Sequence, residues 1–310
     1  MDETGIEIWR GGVSPWQCDQ MGHLNVRFYM AHAMEGLVGL GAALGMSHAF
    51  SPRATSTLAV KEHHIRFLKE ARVGEALHMT GAVLDMAEDE ARLVQTTVHT
   101  ASGDPAAIFQ TRAAHVTPGD IKPFPWGPPT HEHAKALTAK IPAALAPRSL
   151  TPGAPATPVS LKTLDGLGLK THGAGAFGVQ DCDVFGRVRA DQIMGRISDG
   201  AAHSIAAMRG VVGDVASGGR PIGVAVVEYR LIYQDWPGAG DRFEMRSGLV
   251  FGRSRLIRWA HFLNDPTTGR PWARAESVLV PFDLELRKAI TLPEPAVRAL
   301  EALARPELAD

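Results

Sequence analysis

The stretch Asp19-Gln-Met-Gly22-His23-Leu-Asn25-Val-Arg-Phe-Tyr29 gathers the residue types of an acyl-transfer site into a few positions. It offers a carboxylate in a loop, a glycine for a tight backbone turn, and polar His23 and Asn25 at a helix start. A helix N-terminus exposes unpaired amides and the positive end of the macrodipole, so it suits a developing oxyanion. A carboxylate within reach of the same point can act as a nucleophile or as a base for water. Thioester hydrolysis needs those two parts and no metal.

Such residues must be held by regular elements, and the elements occur twice. Cys18-Asp19-Gln-Met-Gly22 lies over Cys182-Asp183-Val-Phe-Gly186, about 165 residues on. Glu62 in a strand-like run lies over Glu228 in another, and Gly74 over Gly240, at nearly the same offset. A repeat of that length fixes the architecture before any local reading does. Each half reads as a short strand (Ile6 to Val13; Ala176 to Gln180), the Cys-Asp loop, then a helix. The first helix is expected at about 26–44, where Phe28, Ala31, Met34, Leu37, Val38 and Leu44 approach the 3.6-residue period. The second is expected at about 191–208, with Asp191 as a cap or first-turn acid. Four strand-like segments follow in each half: 58–67, 76–86, 92–100 and 106–116, then 223–233, 242–251, 255–264 and 271–282. One strand, one long helix and four antiparallel strands make an α+β layout with the helix packed on a sheet.

The expected domains are 1–120 and 172–292, joined by a proline-rich linker at 121–171 and followed by a helical tail at 293–310. The linker reads as extended, with a short helix at 131–140.

The bulk numbers narrow the function classes. The chain has 310 residues, 45% of them hydrophobic, and a formal net charge of -1. That balance leaves no basic footprint for nucleic acid and no basic arm for a membrane surface. The N-terminus has no basic region followed by an apolar run, and no stretch reads as a membrane helix. Cys18 and Cys182 are too few for a disulfide scaffold and lack zinc-like spacing. A cytoplasmic protein is the expectation. His63 and His64 are strand neighbours that point to opposite faces, so no metal site is expected from them.

Asp-x-x-Gly-His-x-Asn with Tyr four residues later resembles the signature of the 4-hydroxybenzoyl-CoA thioesterase group of hot-dog proteins. The resemblance implies two tandem hot-dog domains, each a curved antiparallel sheet wrapped around a central helix. It implies that Asp19 is the catalytic carboxylate and that helix-start amides polarise the thioester carbonyl. Gly22, His23 and Asn25 would shape the loop, and Tyr29 would support the helix or line the acyl pocket. The substrate would be an acyl-CoA or acyl-ACP, with coenzyme A entering only as part of the substrate and no cofactor needed. Two such chains would associate as a dimer. Another hot-dog branch uses a helix carboxylate, which makes Glu35 a second catalytic candidate.

The second half departs from the pattern. Arg187 and Arg189 stand where His23 and Asn25 stand, and Ile193 replaces Tyr29. A degenerate copy is the favoured reading and a second site with altered chemistry the other. Arg187 is then open to binding ligand phosphate or carboxylate. Two further functions compete: a hot-dog hydratase or dehydratase, and a non-catalytic acyl-CoA-binding module. The Asp-to-His spacing argues against the former, and the retained Asp19 motif against the latter.

Overall fold

The computed structural model describes residues 5–200 and 222–309. The chain forms two compact units, Met1–Gly153 with Gln180–Met194, and Ala154–Val179 with Gly195–Asp310.

In the first unit, β1 (Ile6–Gly12) leads through the Asp19 loop into α1 (Val26–Ala43). Then come β2 (Thr57–Phe67), β3 (Ala76–Met86), β4 (Glu90–His99) and β5 (Pro105–Val116). The strands pair antiparallel in the order β1-β3-β4-β5-β2. Tyr29, Met30, Ala33, Gly36, Leu37, Leu40 and Gly41 form the buried stripe of α1, at the three- and four-residue spacing that puts side chains on one helix face. That stripe packs on β1 and β3. Buried Gln95 of β4 reaches across to donate to the Ala33 carbonyl, 2.7 Å away, and so ties helix to sheet with a polar bond.

The linker is more structured than its prolines suggest. Its helix, α2 (Pro128–Ala136), starts three residues earlier than expected, because Pro128 and Pro129 occupy the first turn, where a missing amide costs nothing. Beyond it, Leu68, Leu84, Ala139, Ile141 and Leu145 cover Ala82, Val94 and Ile108. Arg66 donates to the carbonyls of Ala144 and Ala146, and Glu62 accepts the Gly153 amide at 2.7 Å.

The second half of the chain repeats the plan. After α3 (Leu161–Gly166) it runs β6 (Thr171–Ala176), helix α4 from 190, β7 (Ile222–Tyr233), β8 (Arg242–Gly252), β9 (Ile257–Asn264) and β10 (Pro271–Asp283). The order β6-β8-β9-β10-β7 matches the first sheet strand for strand, and a two-residue β11 (Lys288–Ala289) adds to β10. Strand β6 lies five residues before the expected position. Its sequence, THGAGA, carries no β signal, and pairing with β8 decides it. Helix α4 is described over 190–200, and the rest of the expected helix, 201–208, lies outside the described residues. The C-terminal helix α5 (Glu294–Leu303) buries Ala296 and Leu300 against Leu249, Ile257, Trp259 and Leu279.

How closely α1 approaches its sheet rests on Gly39, where a Cβ would stand 2.5 Å from the Ile8 carbonyl oxygen. Backbone cannot swing aside as a side chain can. Gly39→Ala is expected to destabilise the fold by about 1–3 kcal/mol through overpacking. Gly119→Ala, which meets open space, should stay within about 0.5 kcal/mol of wild type. The urea midpoints of both variants check this.

Candidate active site

The Asp19 loop is a closed backbone turn built on one carboxylate. Asp19 Oδ1 accepts the amides of Met21 (2.8 Å) and His23 (3.1 Å). The Asp19 amide donates to the His23 carbonyl at 2.8 Å, and the Gly22 amide to the Asp19 carbonyl at 3.0 Å. Gly22 has φ 76°, the left-handed conformation that residues with a Cβ rarely adopt. Among the described residues nothing donates to the second carboxylate oxygen, and the residue is exposed.

The turn is anchored on both sides. Upstream, a proline-led turn at Pro15–Gln17 is closed by the Ser14 amide donating to the Gln17 side chain, and the Gln17 carbonyl accepts the Asn25 amide. Downstream, Leu24 donates to the Ala71 carbonyl, and His23 Nε2 lies 3.0 Å from Glu70 Oε2. Asn25 caps α1, its side chain accepting the Arg27 amide at 2.9 Å. Its carbonyl takes the Phe28 amide. Of the first three amides of α1, only that of Val26 is without an acceptor among the described residues.

The second copy reproduces this backbone bond for bond. Asp183 Oδ1 accepts the amides of Phe185 and Arg187, and the Asp183 amide donates to the Arg187 carbonyl. Gly186 has φ 78°, and the Arg189 amide donates to the Asp181 carbonyl as Asn25 does to Gln17. The electrostatics differ. The guanidinium of Arg187 lies 3.3 Å from Asp183 Oδ2, so the oxygen left open in the first copy carries an ion pair in the second. Arg189 does not repeat the Asn25 cap; it pairs with Asp191 and donates to the Gln180 carbonyl.

A family model described as the thioesterase-like superfamily matches residues 13–141 and 177–300, one segment for each copy of this turn. The chain belongs to the thioesterase-like superfamily. Thioester hydrolysis is therefore its activity class. No curated protein matches it. Among solved structures it is similar to a putative oleoyl thioesterase from Lactobacillus plantarum, at 12% identity and TM-score 0.65, covering 94% of this chain and 99% of that one. It is likewise similar to an acyl-ACP thioesterase from Bacteroides thetaiotaomicron, at 11% identity and TM-score 0.64 over 87% and 96%. A 12:0-ACP thioesterase from Umbellularia californica gives 10% and 0.62 over 88% and 92%. At these identities the likeness shows the fold, which is the tandem hot-dog arrangement implied by the sequence motif.

The remaining candidates of this thioesterase-like chain fall in separate places. Tyr29 is buried, meets Phe67 edge-on at 5.4 Å, and is hydrogen-bonded to the Ala71 backbone; burial pushes its phenol well above its ordinary pKa. It supports the helix start. Glu35 is exposed and accepts the Trp9 indole N–H at 2.5 Å. Ten residues of helix, at about 1.5 Å each, set it about 15 Å along the axis from Asn25. Cys18 and Cys182 are half-buried free thiols, and burial raises the pKa of Cys18. Among the described residues no group of three or more His, Cys, Asp or Glu is placed to hold a metal ion, and no helix is long and apolar enough to cross a membrane.

Gln17, Glu70 and Ala71 are missing from the sequence reading, though they hold the turn. Ser14-Pro-Trp-Gln17 carries the capping-box spacing and was legible in principle. Glu70 and Ala71 sit at the end of β2, far along the chain, and no local signal marks them. Replacing the cap tests the anchoring: Asn25→Ala should cost about 1 kcal/mol of stability, read from the shift in thermal or urea midpoint.

Proposed function

We propose that the chain hydrolyses an acyl thioester, acyl-CoA or acyl-ACP, at the Asp19 turn. The observation that carries this reading is the division of labour within one carboxylate. Oδ1 is consumed by the backbone turn and Oδ2 is left open. The turn holds Oδ2 as the base that draws a proton from water as the water attacks the thioester carbonyl. The oxyanion then forms against the start of α1, where the Val26 amide is the uncommitted donor and the helix dipole favours negative charge. The thiolate leaves without needing a strong acid. No metal or cofactor enters the scheme, and coenzyme A is present only as part of the substrate. His23, Asn25 and Gly22 shape the turn, and Tyr29 braces it from below.

Arg187 gives Asp183 a different status. A carboxylate with one oxygen in the turn and the other on a guanidinium has no oxygen left to serve as a base. The second copy is therefore the lapsed one. Glu35, held by Trp9, lies too far along α1 to act on a carbonyl polarised at Val26.

Thiol release from a panel of acyl-CoAs tests the assignment. Asp19→Asn should lose about 10²- to 10⁴-fold in rate, the usual contribution of a general base, with the melting transition retained. Asp183→Asn and Glu35→Gln should keep most of the wild-type rate. Full activity in Asp19→Asn, with the loss in Glu35→Gln instead, would move the site to the helix carboxylate.

A further inference from the structure

The sheet of the second unit carries a buried polar chain that the Asp19 chemistry does not use. It starts on β6 and crosses all five strands. His172 Nε2 lies 2.7 Å from Ser247 Oγ, and Ser247 Oγ lies 2.7 Å from His261 Nδ1. His261 Nε2 lies 2.9 Å from Ser277 Oγ, and Ser277 is hydrogen-bonded to the Tyr229 hydroxyl. The register explains the alignment: Ser247 faces His261 across β8 and β9, and Ser277 faces Tyr229 across β10 and β7. His261, Ser277 and Tyr229 are 4%, 1% and 3% exposed, whereas His172 and Ser247 are only partly buried.

Buried polar groups cost stability unless satisfied, and this chain satisfies itself link by link. Two donor directions close every link, because each imidazole can carry its proton on either nitrogen. In the one that leaves His172 Nε2 as an acceptor, the Tyr229 hydroxyl donates to Ser277, the Ser277 hydroxyl to His261 Nε2, the His261 Nδ1–H to Ser247, and the Ser247 hydroxyl to His172 Nε2. Burial, with the charge of His172 adding to it, pushes His261 down to about 3, so this ring stays neutral, with one nitrogen to donate and one to accept. The other ring lies close to α4: a Cβ on Gly200 would stand 2.9 Å from His172 Nδ1.

A hydroxyl within hydrogen-bond reach of a base, with its environment oriented by further groups, is the arrangement of an activated nucleophile. We propose that Ser247 is the nucleophile of a second acyl-transfer centre, with His172 as its base and the His261–Ser277–Tyr229 chain as positioning residues. The substrate class is a carboxylic ester or thioester. Ser247 Oγ bonds to the carbonyl carbon and its proton passes to His172 Nε2. The bond to the leaving alcohol or thiol breaks, and that group takes the proton from His172. Water then hydrolyses the acyl-serine by the same route, returning the proton to Oγ. The first unit has no counterpart. The corresponding positions hold Ile8, Gly81, Gln95, Thr111 and His63, with Gly81 opposite Gln95 and His63 opposite Thr111, and glycine stands where the serine does.

The centre is independent of Asp19, so its test is too. The full chain is incubated with a fluorophosphonate, which phosphonylates an activated serine as the P–F bond breaks, and the adduct is located by peptide mass spectrometry. The expected result is one adduct on Ser247, absent in Ser247→Ala and unchanged in Asp19→Asn. The labelling rate should fall about 10²-fold in His172→Gln, while its melting temperature stays near that of wild type. An unlabelled Ser247 in the folded wild-type chain overturns the proposal. So does a labelling rate that His172→Gln leaves unchanged.

Discussion

The structure around the candidate site depends on one carboxylate oxygen accepting two backbone amides. Hydrogen bonds to a charged group are worth about 1.5–3 kcal/mol each, more than neutral ones. The bonds to Met21 and His23 therefore make Asp19 a structural keystone of its own loop. They set the turn that needs Gly22 in the left-handed region and bring Asn25 to the head of α1 as a cap. The same two bonds aim the remaining oxygen outward. An exposed carboxylate on a long flexible loop would lose much of its effectiveness to disorder. Here its position is over-determined by the turn, by Gln17 on one side and by Glu70 and Ala71 on the other. One oxygen of the side chain serves the fold, and the other is left for the proposed chemistry.

Comparison of the two copies separates what the turn needs from what the reaction needs. Asp, the left-handed glycine, the paired backbone bonds and the helix start occur in both. They serve the backbone. The differences fall on the open oxygen and the cap, where Arg187 replaces His23 and Arg189 replaces Asn25. His23 turns away from its aspartate toward Glu70, whereas Arg187 folds back on Asp183. The Asp of a duplicated loop has a structural use whether or not it has a chemical one, and in the second copy the neighbouring cation satisfies its other oxygen. The aspartate is thus common to both turns, and its neighbour four residues on is what distinguishes them.

Much of this organisation was readable from residue types. The repeat spacing located both turns, and alternation placed four strands in each half to within two residues. The apolar spacing around Leu37 placed α1 but not its buried face: Val38 is exposed and Phe28, Ala31 and Met34 are half-buried, whereas Tyr29, Met30, Ala33 and Leu40 are buried. The misses share a cause. Strand β6 is a run of small residues whose state is set by its partner β8. The α2 boundary depended on two prolines that start the helix and also read as linker. Glu70, Ala71 and the Trp9–Glu35 bond join segments far apart in sequence, and no local periodicity encodes such contacts. Ser247, His261 and Ser277 also went unseen, because each stands among other polar residues of its own strand and only the register lines the three up.

The two sheets also solve the same packing problem differently. Each must present an inner surface to a helix through its central strands. In the first unit Gln95 spends its amide on the Ala33 carbonyl and takes the Thr111 hydroxyl on its other end. Helix and sheet are thereby cross-linked, and the Thr111 hydroxyl is spent on an amide oxygen. In the second unit an imidazole replaces that amide. A ring nitrogen on each side lets the bonds run along the sheet from strand to strand, so the chain ends on a partly exposed serine and histidine at the edge. The imidazole of His261, together with His172 and Ser247 where the first unit has Ile8 and Gly81, thus replaces a structural cross-link by a connected hydrogen-bond line. That difference in direction, more than the count of polar groups, is what gives the second sheet a reactive end.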